Sequence, residues 1–265
     1  MLRAPACKTV GIEPELSGGI PEPVKSTRAC QYSSRGNTLA EKSHTSGRST
    51  QWHQDKARAT KAAVLEGAAT VFNEVGYRSA VISAISRAAK VTPGGMYHYF
   101  DSKEAIAQEV LAEFQARWSA VPERAPEDSP LGLLISMTLR QMQRLHKDRI
   151  VRAGFRMTFE PGTLPTPNTS FAEQWLRSVT EVLADARTAG ELSEEANADE
   201  IAWAIVSGFV GTYTFAETIG AHESLLERME AVLAGALREH LAPQHKDRVV
   251  TALRYSVAAI SDTDD

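Results

Sequence analysis

Cysteine is almost missing from this chain: there are two in 265 residues, Cys7 and Cys30. Both fall in a stretch with no sustained apolar period, so they cannot staple a folded body. That excludes a disulfide scaffold and points to a reducing cytoplasm. Long apolar runs are missing too. No stretch of about 18 apolar residues occurs, so no membrane span and no membrane partner is expected, and the first residues lack the apolar core of a secretory signal. Alternating polar and apolar runs of strand length are also lacking, which leaves an all-α class. His146, His222, His240 and His245 have no companions at metal-ligand spacing, so no metal site is expected. Nothing of the Gly-x-Ser-x-Gly kind marks a nucleophile, so neither an enzyme nor a cofactor is expected.

What charge there is lies unevenly. The net charge is -4. Residues 56–104 nevertheless carry seven Lys/Arg against four Asp/Glu, whereas 105–265 carry fifteen against twenty-four. A basic block ahead of an acidic body suits one module that meets phosphates and another that does not. Residues 1–53 are rich in Gly, Ser, Thr and Pro and cannot bury enough apolar surface to offset their ordering entropy, so they read as a disordered extension. Arg35, Lys42 and Arg48 would let it touch DNA as an arm, but an upstream extension without a role explains it as well.

From residue 54 the pattern turns helical. Val64, Leu65, Ala68, Phe72 and Val75 recur at three- and four-residue steps, and Gly76 stands where a helix would end. A second helix runs through Ile82–Ala89 with Ile82 and Ile85 inward. Then comes the most informative stretch, Val91–Lys103. Thr92 is a good N-cap and Pro93 suits the first helical position. Gly94 and Gly95 leave no side-chain bulk against an approaching phosphate or base edge. Tyr97, His98 and Tyr99 add aromatic bodies with polar tips, and Asp101 with Glu104 forms a capping box for the next helix. Three short helices with a tight turn between the last two make a helix-turn-helix domain over 54–101.

Further helices are expected at 102–119, 129–147, 149–159, 169–189, 197–219 and 223–240, separated by a break at 121–128 and a Pro-rich loop at 161–167. Residues 102–242 would then form a second, helical domain. The tail at 243–265 would be part helical through Val249, Val250, Leu253, Val257 and Ile260.

Positions 60–110 resemble the DNA-binding domain of the tetracycline-repressor (TetR) family. The likeness rests on Ala68-Ala69…Phe72…Gly76-Tyr77, on Ile82-Ser83-Ala84-Ile85-Ser86…Ala89, and on Val91 to Phe100 followed by Ser102-Lys103-Glu104. Val151–Met157, Phe171–Trp175 and Val210-Gly211-Thr212 resemble the γ-butyrolactone autoregulator receptors of actinomycetes. Two departures stand out. Where the family usually caps its second helix with Thr or Ser, this chain has Val81, so Ser79 is expected to serve instead. Pro93 stands where the receptors often carry Lys.

The resemblance implies a repressor that binds a pseudo-palindromic double-stranded operator as a homodimer, in the cytoplasm at the nucleoid, and answers to a small-molecule effector. It implies DNA contacts from Thr92, Pro93, Gly94, Gly95, Tyr97 and His98, backbone contacts from Thr60 and Ser83, and a phosphate contact from Lys103. With no Arg on the probe helix, bidentate guanine reading is unavailable, and specificity falls to Tyr97, His98 and DNA shape. Tyr99 and Phe100 are expected to pack inward. The resemblance also implies an effector pocket at Trp175, with Phe114, Trp118, Thr158 and Phe171 beside it and Thr158 as a polar contact. Gln115, Gln141 and Gln143 offer amides that a pocket or a solvated face explains equally. Two rival readings stand beside this one: a receptor homologue answering to an antibiotic or to no lactone, and a helical enzyme or carrier for small apolar molecules.

Overall fold

The computed structural model describes residues 44–119, 129–160 and 169–247, together with 251 and 253. The described residues from Arg48 onward form one compact unit, whose architecture follows. It is all-α. Helix α1 spans His44–Ser79, α2 Ile82–Ala89, α3 Pro93–Tyr97, α4 Lys103–Ser119, α5 Pro130–Lys147, α6 Arg149–Phe159, α7 Thr169–Thr188, α8 Ala198–Ile219 and α9 Leu225–Leu237. Leu192 and Leu241 form an isolated bridge between two of the connections.

The helix bounds follow the expected ones closely, with one correction at the start. Helix α1 begins at His44, inside the segment expected to be disordered. Once the buried turns around Val64 and Phe72 nucleate the helix, each residue added upstream costs little. Local pairs then support its exposed start, among them Gln51 with Asp55 and Lys56 over the Trp52 ring. The expected disorder before residue 44, the break at 121–128 and the loop at 161–167 lie outside the described residues. So does most of the expected terminal helix, although Leu253 is buried.

Two apolar cores organise the chain. The first gathers α1, α2 and α3 onto the N-terminal turns of α4 and one face of α6, through Phe72, Ile85, Met96, Phe100, Ile106 and Met157. The second joins the C-terminal turns of α4 to the other face of α6 and to α5, α7, α8 and α9. Helices α4 and α6 therefore belong to both cores. Their crossing is unusually close: a Cβ on Gly154 would come within 2.3 Å of Phe114 Cβ, so only glycine lets α6 lie on α4 there. Gly67 does the same for α1 against α2, where a Cβ would meet Ala89 N at 2.6 Å.

Val75, expected inside, is 51% exposed. Gly76 explains this, because its φ of 78° redirects the chain and Tyr77 turns inward instead, edge-on to Phe72 at 5.6 Å. That φ lies outside the range of ordinary L-residues, so the glycine is required where it stands.

Candidate DNA-contact surface and effector cavity

Helix α3 is assembled by its own first turn. Thr92 adopts extended backbone and its Oγ1 accepts the Gly95 N–H at 3.1 Å, which is the N-cap the sequence predicts. Met96 and Phe100 anchor the helix in the first core, and Tyr99 packs against that core as expected. Thr92, Pro93, Gly94, Tyr97 and His98 are left facing outward, Tyr97 being 52% exposed. The two glycines differ in role. A Cβ on Gly94 would meet nothing, so this position opens the main chain to an approaching partner. A Cβ on Gly95 would crowd Thr92 Oγ1 at 3.1 Å, so this one protects the cap.

Ser83 is exposed on α2, whereas Thr60 is half-buried and its hydroxyl donates back along α1 to the Lys56 carbonyl at 2.9 Å. Lys103 departs furthest from expectation. Its ammonium donates to the carbonyls of Tyr77, Arg78 and Ala80, at 2.8, 3.2 and 2.9 Å, and lies 4.6 Å from the Tyr77 ring centroid. An ammonium has three protons, and all three are spent closing the end of α1. Lys103 is thus a lock between α1 and α4 and not a free phosphate contact.

The capping expectations also need amending. Helix α4 is capped by Ser102, whose Oγ accepts the Ala105 N–H, and not by Asp101. Val81 takes the N-cap position of α2 with no side-chain cap, and Ser79 closes α1 instead of replacing it. The turn between α2 and α3 uses Lys90 in a left-handed conformation, φ 56°, with its N–H on the Arg87 carbonyl. Lys90 and Arg87 are exposed cations beside the probe helix, and the sequence reading passed over both. Nothing in their spacing separates them from ordinary solvated helix charges.

At the other end of α4 lies a cavity of about 440 Å³ between α4, α5 and α7. Trp118, Phe171 and Trp175 form its aromatic wall, with Trp118 and Trp175 edge-on at 5.1 Å. Its polar points are Gln115, Thr138, Gln141 and Gln174. Gln115 and Gln141 therefore belong to the cavity and not to a solvated face, and Gln141 is itself buried. Trp118 also has an unusual feature: its Nε1–H is buried and has no partner among the described residues. An unpaired donor in an apolar wall costs free energy unless something accepts from it.

Two expected wall residues do not reach the cavity. Phe114 is fully buried behind Trp118, 5.5 Å from it and 4.8 Å from Phe171, so it props up the wall. Thr158 turns its hydroxyl to the Gly154 carbonyl at 2.8 Å, within its own helix. The one hydroxyl proton of the residue that the resemblance made a polar contact is spent locally.

Polar contacts tie the cavity end of α4 back to α1. Arg117 donates from Nη1 to both carboxylate oxygens of Asp148 at 2.9 and 2.8 Å, from Nε to Glu113 at 2.9 Å, and approaches Glu66 of α1 at 4.0 Å. Asp148 in turn caps α6 by accepting from Ile150 N and Val151 N. Burial alone would lower the Arg117 pKa, but these two carboxylates outweigh it and raise it, so the guanidinium stays charged at any relevant pH.

A family profile described as bacterial regulatory proteins, tetR family, matches residues 64–110, which span the end of α1 to the first half of α4. The crystal structure of full-length TylP, a TetR regulator from Streptomyces fradiae, superposes with a TM-score of 0.64. It is 30% identical to this chain, covering 79% of it and 99% of TylP. The chain belongs to the TetR family. Within that family it is similar to the A-factor receptor protein of Streptomyces griseus, at 32% identity over 62% of this chain and 57% of that receptor. The match thus spans little more than half of the receptor's length. A crystal structure described as a gamma-butyrolactone receptor shares the fold at 22% identity, with a TM-score of 0.60 over 77% of this chain and 99% of that one. Among the described residues of this TetR protein no helix is long and apolar enough to cross a membrane, and no cluster of three metal-ligating side chains occurs.

Proposed function

We propose that this TetR protein is a dimeric repressor that leaves its operator when a small apolar effector enters the cavity beside Trp175. The observation that carries the reading is the position of Trp118. It forms part of the cavity wall and sits on α4, whose other end, Ile106, Ala107 and Val110, is packed into the DNA-facing core. An occupant that moves Trp118 therefore moves the helix to which α3 is anchored. Effector and DNA affinities are then coupled and opposed.

The cavity suits a γ-butyrolactone, butenolide or furan with an alkyl chain. The aromatic wall and Val179 and Val182 accept the apolar part, and the amides of Gln115 and Gln141 complete a sparse polar lining. On the DNA side, Tyr97 and His98 read base edges and shape, Ser83 and Thr92 approach the backbone, and Arg87 and Lys90 supply the positive charge that Lys103 cannot.

Dimerisation is supported by α8. Trp203, Phe215 and Ile219 are exposed along one side of that helix, Trp203 to 66%, and share it with Ser207 and Gly211 at four-residue steps. The neighbouring face of α9 presents Ala231 and Gly235. Bulky residues beside small ones make a self-complementary surface, as a two-fold interface needs, and two probe helices then read a pseudo-palindrome. A gel shift of the gene's own promoter DNA, with and without extract of the producing culture, tests the reading. Extract should release the wild type but not Trp175→Ala. Equal release of both would sink the cavity assignment, and no shift of promoter DNA at all would favour the carrier reading.

A further inference from the structure

The polar groups of the cavity beside Trp175 are not equivalent. Gln141 stands on the face of α5 that also carries Leu134, Met137 and Thr138 into the lining. It is only 7% exposed, yet its side chain has no hydrogen-bond partner among the described residues. Neither of its amide atoms is sealed into the packing, so the amide opens onto the cavity that the residue lines. Buried amides are nearly always paired, and this one is left for an occupant. Thr138, one turn away, spends its hydroxyl proton on the Leu134 carbonyl at 2.7 Å and keeps only acceptor capacity. Gln115 is half-buried and Gln174 exposed, so water competes for both.

Charge is missing from this lining. Among the described residues the cavity is bounded by aromatic, aliphatic, hydroxyl and amide side chains, with no Asp, Glu, Lys or Arg. A second cavity, also of about 440 Å³, shows the contrast. It lies between α1, α6 and α8, with Asn73 and Tyr213 in its wall, and Arg152, Arg156, Glu160 and Glu217 line it as well. A carboxylate entering the first cavity gives up its hydration and meets no cation in return. A neutral carbonyl loses far less water and gains the Gln141 N–H.

We propose that Gln141 is the specificity-determining residue of the effector cavity and that it selects an uncharged cyclic ester. Its Nε2–H donates to the lactone carbonyl, while Trp118, Phe171 and Trp175 take the ring and the alkyl chain. Hydrolysis adds one water across the acyl C–O bond and yields a hydroxy acid, which is ionised near neutral pH. The opened product no longer fits, so ring opening erases the signal without touching the carbon skeleton. This inference rests on the effector reading of the cavity and narrows it: a closed lactone or butenolide is kept, and a carboxylated furan is excluded.

The test is calorimetric titration of the full chain, without DNA, near neutral pH. The probes share one skeleton: γ-decalactone, 2-hexyltetrahydrofuran, which lacks the carbonyl, and 4-hydroxydecanoate, the opened acid. The lactone should bind, and each of the others should bind at least about tenfold more weakly. Gln141→Leu keeps the bulk and removes the amide. It should weaken the lactone by about tenfold, leave the ether unchanged and not lower the melting temperature. A purely structural Gln141 would instead shift lactone and ether together. Gln141→Lys puts a cation at the same place and should turn the preference toward the opened acid. The inference is overturned by a lactone-to-ether ratio that Gln141→Leu leaves unchanged, or by an opened acid as tight as the lactone in the wild type. If Trp175→Ala abolishes lactone binding while Gln141→Leu does not weaken it, the cavity reading stands and this inference alone falls. If the wild type binds none of the probes, both fall.

Discussion

The two cores meet along α4 and α6, yet they are finished differently. The DNA-facing core mixes aliphatic residues such as Val64, Ala68, Ile85 and Ala107 with Phe72, Tyr77 and Phe100, and the half-buried cation at its edge, Lys103, has every proton satisfied. The larger core is aromatic, with Phe114, Trp118, Phe155, Phe171, Trp175 and Phe209 in mutual ring contact. It also leaves cavities at its edges and, among the described residues, strands Trp118 Nε1. Close packing and the satisfied Lys103 ammonium make a rigid mount for α3. Large flat rings pack less completely, and the gaps and orphaned atoms they leave are what a ligand can fill.

Variants at the boundary should separate the two behaviours. The largest effect is expected from Phe114→Ala, which removes a fully buried ring at the crossing of α4 and α6 and should cost about 3–5 kcal/mol in denaturant unfolding. Trp175→Ala, which opens onto an existing cavity, should cost clearly less; equal losses would mean that the two positions do not differ as wall and prop.

Next comes Lys103→Met. Losing the lock should destabilise the protein by about 2 kcal/mol while the salt dependence of DNA binding stays the same. A slope reduced by about one, with stability intact, would restore Lys103 to the phosphate backbone.

The smallest effect is expected from Val81→Ser, which supplies the missing cap of α2 at a site where Val81 is 57% exposed, and should add about 1 kcal/mol to the stability of the DNA-facing unit. No gain would show that the Ala84 and Ile85 amides, both close to the Val81 carbonyl, leave that helix end nothing to improve.

Much of this was legible in residues alone because the signals are local. The Thr92-Pro93 start of α3, the inward Phe100 and the buried series Ile201, Ile205, Phe209 and Tyr213 depend on neighbours within a few positions, and all appear as read. Trp118, Phe171 and Trp175 are buried and line one cavity, and aromatics at helical spacing mark such a buried face in the sequence. The reading failed where a partner comes from far along the chain. Lys103 looked like a surface cation until α1 brought three carbonyls to it. Thr158 looked polar and available, Phe114 looked like cavity wall, and Gln141 suited a pocket or a solvated face equally. Each was decided by which neighbour occupied the space in front of it.

By itself, then, the sequence determined that this protein is helical, where most of its helices start and stop, and which short one stands exposed with its cap, its glycines, Tyr97 and His98. Periodicity and capping are written in adjacent residues, so no other part of the chain is needed to read them. Tertiary structure alone decided that α4 and α6 belong to both cores, that Lys103 is a lock, and that Asn73, Arg156 and Tyr213 enclose one cavity. Those three come from α1, α6 and α8, and no pattern within any single helix records which faces will meet.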